Sequence, residues 1–401
     1  MNDLRAVSAD DPETFLVQLR LALTASGDAL LPRTGPGEAA PIARVPINTA
    51  VVIETSGSTG TPKRVLLSRS ALLSSAAASA STLGGPGQWL LALPAHYVAG
   101  VQVLVRSIAA ETAPIMMPTG HFDPLDFARH AGRLSEPLRY TSLVPVQLTR
   151  LLDAAADHPG VGDALRRFTA ILVGGQAVPP ELVARAQAAR VNLVRTYGSS
   201  ETAGGCVYNG QPIGATRVRA VDGQLEVSGA VLADGYLDDP DRTAANFVVE
   251  AGTRWYRTGD LGAVDSDGRV SVTGRADNVI ISGGEKVSLD AVQALVRRQP
   301  GFAAAVVVGA DHAEWGRVPV VVLAGDVQNS AAHTSAAHTS AAHTSAALAG
   351  LGDVVARGLG RAARPARLVV VNEIPLLASG KPDLRAVTAL AALAPEPGAT
   401  P

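Results

Sequence analysis

The sequence predicts an α/β protein with two domains. The larger, N-terminal domain is expected to contain mixed and parallel sheets flanked by helices, plus a small β-rich subdomain, and a compact α+β domain follows it. Short β-type runs alternate with helical runs from residue 50 to about residue 200. Beyond residue 213 the segments become β-rich, and a mixed segment begins after Gly274. The 401 residues are enough for roughly two or three domains of ordinary size.

The alternation is clearest in the first of these regions. Short β-type runs predict strands at Trp89–Leu93, Ile115–Met117, Tyr140–Val144, Ala170–Val173 and Asn192–Tyr197. Helical spacing, or proline in the first turn, predicts helices at Ser70–Ser81, Val101–Ala110, Leu125–Arg133, Val146–Ala156 and Glu181–Arg190. This order favours helices packed on a sheet with substantial parallel pairing.

Turn signals organise the rest of the chain. Asp222-Gly223 and Asp267-Gly268 join β-type segments, so they predict hairpins or a small barrel. The C-terminal strands and helices are predicted at Val279–Ile281, Leu289–Arg298, Ala304–Val308, Pro319–Leu323, Leu348–Leu359 and Arg367–Val371. Ser288 is expected to cap the first of these helices. We place the domain boundary in the segment Arg275–Asn278, which gives domains of residues 1–276 and 277–401.

A repeat of Ala-Ala-His-Thr-Ser occupies residues 330–347. It places His333, His338 and His343 five residues apart, which suggests a metal site at first sight. A step of five residues turns each histidine by about 140° around a helix and moves it to the opposite face of a strand. The histidines therefore share no face, and we interpret the segment as a low-complexity insertion in a surface loop.

Composition excludes several classes of partner. The formal net charge is −2, from 34 basic and 36 acidic residues that are interspersed, so we expect neither nucleic acid nor an anionic membrane as a partner. The apolar stretches are too short to span a membrane, and the first residues are acidic and polar, so a cytoplasmic protein is expected. Cys206 is the single cysteine, which excludes an internal disulfide and a thiolate-rich metal cluster and leaves a nucleophilic thiol unsupported.

The run from Thr55 to Lys63 is typical of a phosphate-binding loop. It combines hydroxyls, glycines and a lysine directly after the apolar segment Ala50–Ile53. Glycine lets backbone N–H groups approach an anion, and lysine adds a compact positive charge. The loop differs from the P-loop of NTPases, because Thr61 and Pro62 separate its last glycine from the lysine. The alternative is a surface turn rich in serine and glycine.

Five further motifs follow this loop in a fixed order. They are PAHYVAG at residues 94–100, YGSSET at 197–202, YRTGDLG at 256–262, GRADNVIISGGEKV at 274–287 and PLLASGKPDLR at 375–385. From residue 50 onward the chain resembles the adenylate-forming superfamily of acyl-CoA synthetases, luciferases and peptide-synthetase adenylation domains. Each motif alone is weak, whereas the ordered set is specific.

Three side chains in these motifs suit distinct chemical tasks. Glu201 can supply the carboxylate oxygen that Mg²⁺ prefers, although such a glutamate is often part of a surface turn. Asp260 can accept hydrogen bonds from both ribose hydroxyls, although an aspartate in a hairpin turn is equally ordinary. Lys381 could bridge an attacking carboxylate and the α-phosphate, although most lysines beside Gly-Pro are solvated.

The resemblance implies which residues serve ATP, Mg²⁺ and CoA. Lys381, Glu201 and Thr55 are the expected catalytic residues, with Glu201 as the metal ligand. ATP is expected to contact Thr55, Ser56, Gly57, Ser58, Thr59, Gly60, Lys63, Gly174, Gly175, Gln176, Tyr197, Gly198, Ser199, Asp260, Arg275 and Lys381. Of these, Gly174, Gly175, Gln176 and Tyr197 are implied to lie along the adenine. Asp277 is the implied hinge about which the small domain rotates after adenylation. Gly283 and Gly284 are expected to line the CoA channel, where a thiol arm passes close to the backbone.

The carboxylic acid substrate is suggested by a narrower resemblance. The phosphate loop begins early, and residues 90–107 and 196–210 are similar to o-succinylbenzoate–CoA ligases of actinobacterial menaquinone synthesis. The implied substrates are 2-succinylbenzoate, ATP and CoA. Because this acid carries a second carboxylate, its site needs a cation, and Arg106 on the helix after PAHYVAG is our candidate. The alternative is an arginine that extends to solvent.

The other expected substrate residues are His96, Tyr97, Ser200 and Thr202. Two positions depart from the family pattern. Tyr97 aligns with the family's gating histidine, so its role in the thiol path stays open, and Arg64 replaces a glycine, at a position expected to start the next element rather than touch phosphate.

Two other functions remain as alternatives. Another aryl- or acyl-CoA ligase would use the same machinery with a different pocket. A catalytically silent nucleotide-binding homologue would lack Lys381, Glu201 or Asp260, and all three are present. The sequence leaves the oligomeric state open, with a homodimer among the alternatives.

Overall fold

The computed structural model describes residues 1–24, 26–38, 41–55, 62–325, 341–376 and 382–393. Ser56, Gly57, Ser58, Thr59 and Gly60 of the predicted phosphate loop lie outside the described residues, as do Lys381, His333 and His338. The chain divides into two compact units, Met1–Thr258 with Ala263–Ser271, and Gly259–Gly262 with Val272–Pro401. The predicted boundary between residues 276 and 277 stays a prediction.

The first sheet of the N-terminal unit is built largely from residues that precede the predicted phosphate loop. Its first elements are β1 (Asn2–Ser8), α1 (Pro12–Leu23), β2 (Ala29–Arg33), β3 (Ala43–Val45), β4 (Thr49–Thr55) and β5 (Lys63–Ser68). β1, β2 and β4 are parallel neighbours, and β5 pairs antiparallel with β4. The loop between Thr55 and Lys63 therefore connects the two strands of a hairpin.

Helices cover both faces of the second sheet. The elements that follow β5 are α2 (Arg69–Leu83), β6 (Gln88–Leu91), α3 (Val98–Ala109), β7 (Ile115–Met116), α4 (Pro124–Ala131), β8 (Arg139–Leu143), α5 (Pro145–Asp157), α6 (Pro159–Arg166), β9 (Ala170–Val173), α7 (Pro180–Ala188), β10 (Leu193–Ser199), β11 (Gly204–Tyr208) and β12 (Gln211–Pro212). The strand order is β12-β11-β10-β9-β8-β6-β7, with parallel pairing from β10 to β7. α2 and α3 pack on each other. α2 contacts both sheets and α3 contacts the second sheet, whereas α4 to α7 contribute to a separate core cluster.

A β-rich segment follows, and its last two strands have residues in both units. Its elements are β13 (Arg217–Val221), β14 (Gln224–Ser228), β15 (Gly235–Tyr236), α8 (Pro240–Asn246), β16 (Phe247–Glu250), β17 (Thr253–Val264) and β18 (Val270–Arg275). Asp222-Gly223 forms the turn between β13 and β14, with positive φ angles at both residues, as predicted. β15 leaves this segment and adds to the first sheet beside β5.

The C-terminal unit is a sheet covered on both faces. Its elements are β19 (Val279–Ser282), β20 (Glu285–Ser288), α9 (Leu289–Arg297), β21 (Val306–His312), β22 (Gly316–Ala324), α10 (Ala341–Leu359), β23 (Arg367–Val371) and α11 (Leu384–Leu393). Alternate residues of β21 and β22 face opposite sides: Val307 and Val321 pack with α9 and α10, and Val306 and Val320 pack with α11. Of the helices in the described residues, none combines the length and apolar character that a membrane span requires.

The predicted α/β class is confirmed, and the predicted elements of residues 70–197 are present with shifts of a few residues at their ends. The surface loop predicted for residues 330–347 is wrong from Ala341 onward, because α10 begins there and alanine favours helix. The strand predicted at Ala304–Val308 begins at Val306, because Ala305 N–H closes a turn onto the Phe302 carbonyl. The predictions did not include α1, α6, α8 and α11.

The capping role predicted for Ser288 is confirmed and can be tested. Its hydroxyl accepts a hydrogen bond from Ala291 N–H at 3.2 Å, in the first turn of α9. Ser288→Ala should cost about 1 kcal/mol and make amides in the first turn of α9 exchange about fivefold faster in hydrogen–deuterium exchange. Ser288→Asp keeps an acceptor and should retain the native rate. Equal exchange in the alanine variant and the native chain would contradict this role.

Candidate active site

An ion-pair cluster fixes the base of the hairpin that carries the predicted phosphate loop. Thr55 lies opposite Lys63, and Glu54 lies opposite Arg64. The Glu54 carboxylate accepts hydrogen bonds from Arg64 Nε at 2.9 Å and from Arg33 Nε and Nη2 at 3.0 and 2.9 Å. Burial alone would raise the pKa of Glu54, but these arginines outweigh it and lower the pKa. Arg64 thus belongs to the following strand, as predicted, and its charge is directed to Glu54.

Glu201 lies in a short 3-10 turn, Ser200–Thr202, directly after β10. The residue is only 6% exposed, and within the described chain its carboxylate has no cationic side chain at ion-pair distance. Its Oε1 accepts a hydrogen bond from the Tyr236 hydroxyl at 2.9 Å. Carboxylate oxygens are ligands that Mg²⁺ prefers, so this side chain is placed to bind a cation that arrives from outside the chain.

The neighbouring hydroxyl of Thr202 is engaged by the backbone. Thr202 Oγ1 donates to the Gly204 carbonyl at 2.8 Å and accepts from Ser199 N–H at 2.9 Å. Ser200 and Thr202 are both buried. Their predicted contacts with substrate stay predictions.

The predicted adenine contacts meet at the carboxyl ends of two parallel strands. Arg195 of β10 pairs with Val173 of β9, so the segment 174–176 continues beside Tyr197. The approach is close: the backbone of Gly174 lies against Thr196. Ligands in α/β proteins commonly bind at this edge of the sheet. The structure therefore places Gly174, where the 174–176 segment begins, beside the residue that precedes the YGSSET segment.

His96 and Tyr97 precede α3, with ring centroids 4.1 Å apart and an interplanar angle of 49°. Both side chains are partly buried. Burial lowers the pKa of His96 and raises the pKa of Tyr97, so both rings favour their neutral forms near neutral pH. The two residues present adjacent aromatic surfaces at the start of the helix that carries Arg106.

Arg106 is buried, so the alternative of an arginine extending to solvent is wrong. The residue is 6% exposed, and its Cζ lies 4.9 Å from the centroid of the Trp89 ring. Its Nη2 donates to the Tyr208 hydroxyl at 3.3 Å, and its buried Nε has no hydrogen-bond partner in the described chain. Tyr208 shares a 2.7 Å hydrogen bond with Ser79. Across the described ranges, no carboxylate lies at ion-pair distance from this guanidinium.

In the C-terminal unit, three predicted residues form one cluster. Arg275 donates to Asp260 Oδ1 from Nη1 at 3.1 Å, and to Asp277 from Nε and Nη2 at 3.0 and 3.1 Å. The hydrogen bonds with Asp277, reinforced by the charge of Asp260, raise the pKa of Arg275. Arg275, a predicted nucleotide contact, thus links Asp260, the predicted ribose ligand, to Asp277, the predicted hinge.

Gly283 and Gly284 form the exposed turn between β19 and β20. Gly283 has φ +55°, and a Cβ there would lie 2.6 Å from the Trp315 ring, so a larger residue would displace this ring. The turn borders an open cavity of about 630 Å³ that is also lined by Val279, Ile281, Trp315 and Arg317. Its proposed use as a CoA channel stays a prediction.

Sequence comparison assigns the family. The sequence model of the AMP-binding enzymes matches residues 7–237, and that of the AMP-binding enzyme C-terminal domain matches residues 291–381. The chain belongs to the AMP-binding enzyme family. The resemblance to adenylate-forming enzymes predicted from the motifs is therefore confirmed.

Named relatives of this AMP-binding enzyme include a probable 2-succinylbenzoate–CoA ligase from Mycobacterium tuberculosis. It is 38% identical over 347 residues, which cover 85% of this chain and 84% of the relative. A 2-succinylbenzoate–CoA ligase from Enterococcus faecalis is 26% identical over 361 residues, covering 83% of this chain and 68% of the relative.

Solved structures of AMP-binding enzymes share the fold. The o-succinylbenzoate CoA synthetase (MenE) from Bacillus subtilis, in complex with OSB-AMP, matches with a TM-score of 0.69 at 23% identity and covers 93% of this chain and 80% of that one. ATP-bound MatB from Rhodopseudomonas palustris matches with a TM-score of 0.72 at 20% identity, covering 96% and 78%. At these identities the likeness concerns the fold alone.

The AMP-binding motifs did not reveal the partners of the buried charges. Tyr236 contacts Glu201, and Trp89 and Tyr208 contact Arg106. None of these three aromatic residues lies in the motif that carries its partner. Only the pairing of distant strands and helices brings them together. Within the described residues no cluster of three or more His, Cys, Asp or Glu side chains could hold a metal ion. A divalent cation at Glu201 would therefore need further oxygen ligands from ATP or water.

Cys206 of this AMP-binding enzyme is expected to be unreactive in the folded chain. It is fully buried, and burial raises its pKa to about 12. At pH 8 only about one thiol in ten thousand would be ionised, and the thiolate is the reactive form. Iodoacetamide should leave the native thiol unmodified, as measured by mass spectrometry, and should alkylate it after unfolding in guanidinium. Complete alkylation of the folded chain would contradict this expectation.

Proposed function

We propose that this chain is an acid–thiol ligase that converts 2-succinylbenzoate, ATP and CoA to 2-succinylbenzoyl-CoA, AMP and pyrophosphate. Membership of the AMP-binding enzyme family supports the chemistry, and the names of its relatives support the substrate. The reaction serves menaquinone biosynthesis. Its proposed location is the cytoplasm, where ATP and CoA are available.

The observation that favours a diacid substrate is the buried guanidinium of Arg106. A buried cation is costly unless an anion compensates it, and the described residues provide no carboxylate for this one. The aromatic carboxylate of 2-succinylbenzoate could supply the missing charge, directly or through water. The hydroxyl of Tyr208 would then hold the guanidinium in position.

In the first half-reaction, the aliphatic carboxylate attacks the α-phosphorus of ATP. The bond between this phosphorus and the bridging oxygen breaks, and its electron pair leaves with pyrophosphate. Thr55 and Lys63, at the two ends of the hairpin loop, are proposed to hold the β- and γ-phosphates. Asp260 holds the ribose, and Lys381, outside the described residues, neutralises charge that develops around the α-phosphorus.

The residues around Glu201 suit a magnesium ion bound together with ATP. The carboxylate is buried, is oriented by a neutral hydroxyl, and has no cation at ion-pair distance within the described chain. Mg²⁺, when bound, neutralises phosphate charge. Glu201 is the side chain that we propose as its protein ligand.

In the second half-reaction, the thiol of CoA attacks the acyl carbonyl of the adenylate. The bond from the carbonyl carbon to the phosphate oxygen breaks, AMP leaves, and the thiol proton passes to solvent. Gly283 and Gly284 are proposed to line the path of the thiol arm, and Asp277 is the proposed pivot of the domain rotation that follows adenylation.

The proposed division of labour predicts a selective effect of Lys381→Ala. Adenylate formation, measured by acid-dependent ATP–pyrophosphate exchange, should fall by at least about a hundredfold, because the cation at the α-phosphate is lost. Thioester formation from supplied 2-succinylbenzoyl-AMP should stay near the native rate. Equal losses in both half-reactions would contradict the proposal.

The proposed role of Arg106 predicts a substrate-dependent effect of Arg106→Met, which retains an unbranched side chain in the buried site. With 2-succinylbenzoate, kcat/KM should fall by at least about thirtyfold, the usual cost of removing one member of a buried charge pair. With 4-oxo-4-phenylbutanoate, which lacks the ring carboxylate, the variant should match the native enzyme. A similar loss with both acids would indicate a structural role, and no loss with either would remove the reason for a diacid.

The same comparison addresses the nearest alternative, another aryl- or acyl-CoA ligase. Such an enzyme would share the residues that serve ATP and CoA and would differ only in the acid pocket. It would favour a monoacid in a panel of aromatic and aliphatic carboxylates. The proposed enzyme should favour 2-succinylbenzoate over its monoacid analogue.

A further inference from the structure

Tyr236 links two groups that the proposed function assigns to ATP and its metal ion. Its hydroxyl donates to Glu201 Oε1 at 2.9 Å, and the ammonium of Lys63 lies over its ring, 5.9 Å from the centroid. Tyr236 is 5% exposed, and its ring packs beside Phe247 with centroids 5.8 Å apart. No sequence motif had pointed to this residue.

Backbone pairing fixes Tyr236 at this position. β15 adds to the edge of β5, so Tyr236 pairs with Val65, two residues beyond Lys63. Asp234 N–H donates to the Leu66 carbonyl at 2.9 Å, and Leu237 N–H donates to the Arg64 carbonyl at 2.8 Å. Backbone hydrogen bonds before and after Tyr236 thus attach its strand to β5, the strand that follows the phosphate loop.

The same segment is also attached to the Glu201 turn. Ala233 N–H donates to the carbonyl of Glu201 at 2.8 Å. Gly235 has φ +148°, and a Cβ there would lie 2.5 Å from Thr243, whose hydroxyl accepts a hydrogen bond from Tyr236 N–H at 2.9 Å. The backbone around Tyr236 is therefore bonded both to the Glu201 turn and to the Thr243 hydroxyl, which restricts the position of its ring.

The chemical character of the partner is important. An arginine or lysine on Glu201 would cancel the carboxylate charge and compete with a metal ion. A phenol orients one carboxylate oxygen without neutralising it, and the other oxygen remains available to a metal.

The position of Lys63 adds a second consequence. If its ammonium paired with Glu201, the metal site and the phosphate loop would each lose a charge that ATP requires. In the described residues these two side chains form no ion pair. The Tyr236 hydroxyl is hydrogen-bonded to Glu201, and the Lys63 ammonium lies over the ring, 5.9 Å from its centroid. A cation over an aromatic face is stabilised without the transfer of a proton or the loss of its charge.

We propose that Tyr236 is a positioning residue that orients Glu201 for the magnesium ion of ATP and keeps Lys63 apart from that carboxylate. The inference rests on the proposed function, because it assumes that Glu201 and Lys63 serve magnesium-bound ATP. Tyr236 acts through these two side chains.

The test measures ATP binding by isothermal titration calorimetry, without any carboxylic acid, in excess Mg²⁺ and separately in EDTA. Tyr236→Phe removes the hydroxyl and keeps the ring. It should weaken binding about tenfold in Mg²⁺, the usual effect of losing a hydrogen bond to a charged group, and should leave binding in EDTA unchanged.

Tyr140→Phe provides a matched control. Tyr140 is also buried, and its hydroxyl donates to the Leu83 and Gly85 carbonyls at 3.0 and 3.1 Å. This variant loses a buried tyrosine hydroxyl elsewhere and should bind ATP as the native chain does in both media. Circular dichroism and the thermal unfolding midpoint show whether each variant is folded.

A double-mutant cycle separates positioning from general loss of structure. Glu201→Gln should abolish the gain in affinity that Mg²⁺ provides, and Tyr236→Phe should then have no further effect, because it acts through Glu201. If the double variant lost ATP affinity by the product of the two single losses, the role of Tyr236 would be overturned. Equal weakening of ATP binding by Tyr236→Phe in EDTA and in Mg²⁺ would overturn it as well. If the native chain binds magnesium-bound ATP and the Tyr236→Phe variant binds it equally well, the role of Tyr236 alone would be overturned. Failure of the native chain to bind ATP would overturn the proposed function as well.

Discussion

The central constraint on this structure is the burial of two opposite charges that have no ionic partner among the described residues. The Glu201 carboxylate is 6% exposed and is held by a phenol, and the Arg106 guanidinium is 6% exposed and lies over an indole ring. Buried charges without compensation are destabilising by several kcal/mol, so they persist where a ligand supplies the opposite charge. A divalent cation suits the first, and a carboxylate suits the second.

Strand pairing places the Glu201 turn beside the residues that are predicted to bind ATP. The hairpin of β4 and β5 ends at Thr55 and Lys63, and β15 joins its edge, so the phosphate loop and the Glu201 turn share one framework. The carboxyl ends of β9 and β10 add the predicted adenine contacts. In the C-terminal unit, Arg275 links Asp260 and Asp277, so a residue assigned to the nucleotide and a residue assigned to the hinge depend on one guanidinium.

The sequence predicted local features well and distant contacts poorly. Ser288 and the Asp222-Gly223 turn were predictable because capping and turn signals act within a few residues. Helix α6 was missed because glycine at positions 160 and 162 weakens its helical signal. Glu201 and Arg106 were recognisable in their motifs, whereas Tyr236 and Trp89 contact them only through tertiary packing. The spacing of residues along the chain does not predict contacts between residues that are distant in sequence.

The central claim is that a carboxylic acid meets the α-phosphorus of ATP in this chain. ATP–pyrophosphate exchange by the native protein, with radiolabelled pyrophosphate and a panel of carboxylic acids, measures this step before CoA is involved. We expect magnesium-dependent exchange with 2-succinylbenzoate and much weaker exchange with 4-oxo-4-phenylbutanoate. Absence of exchange with every acid, while the chain is folded, would contradict it.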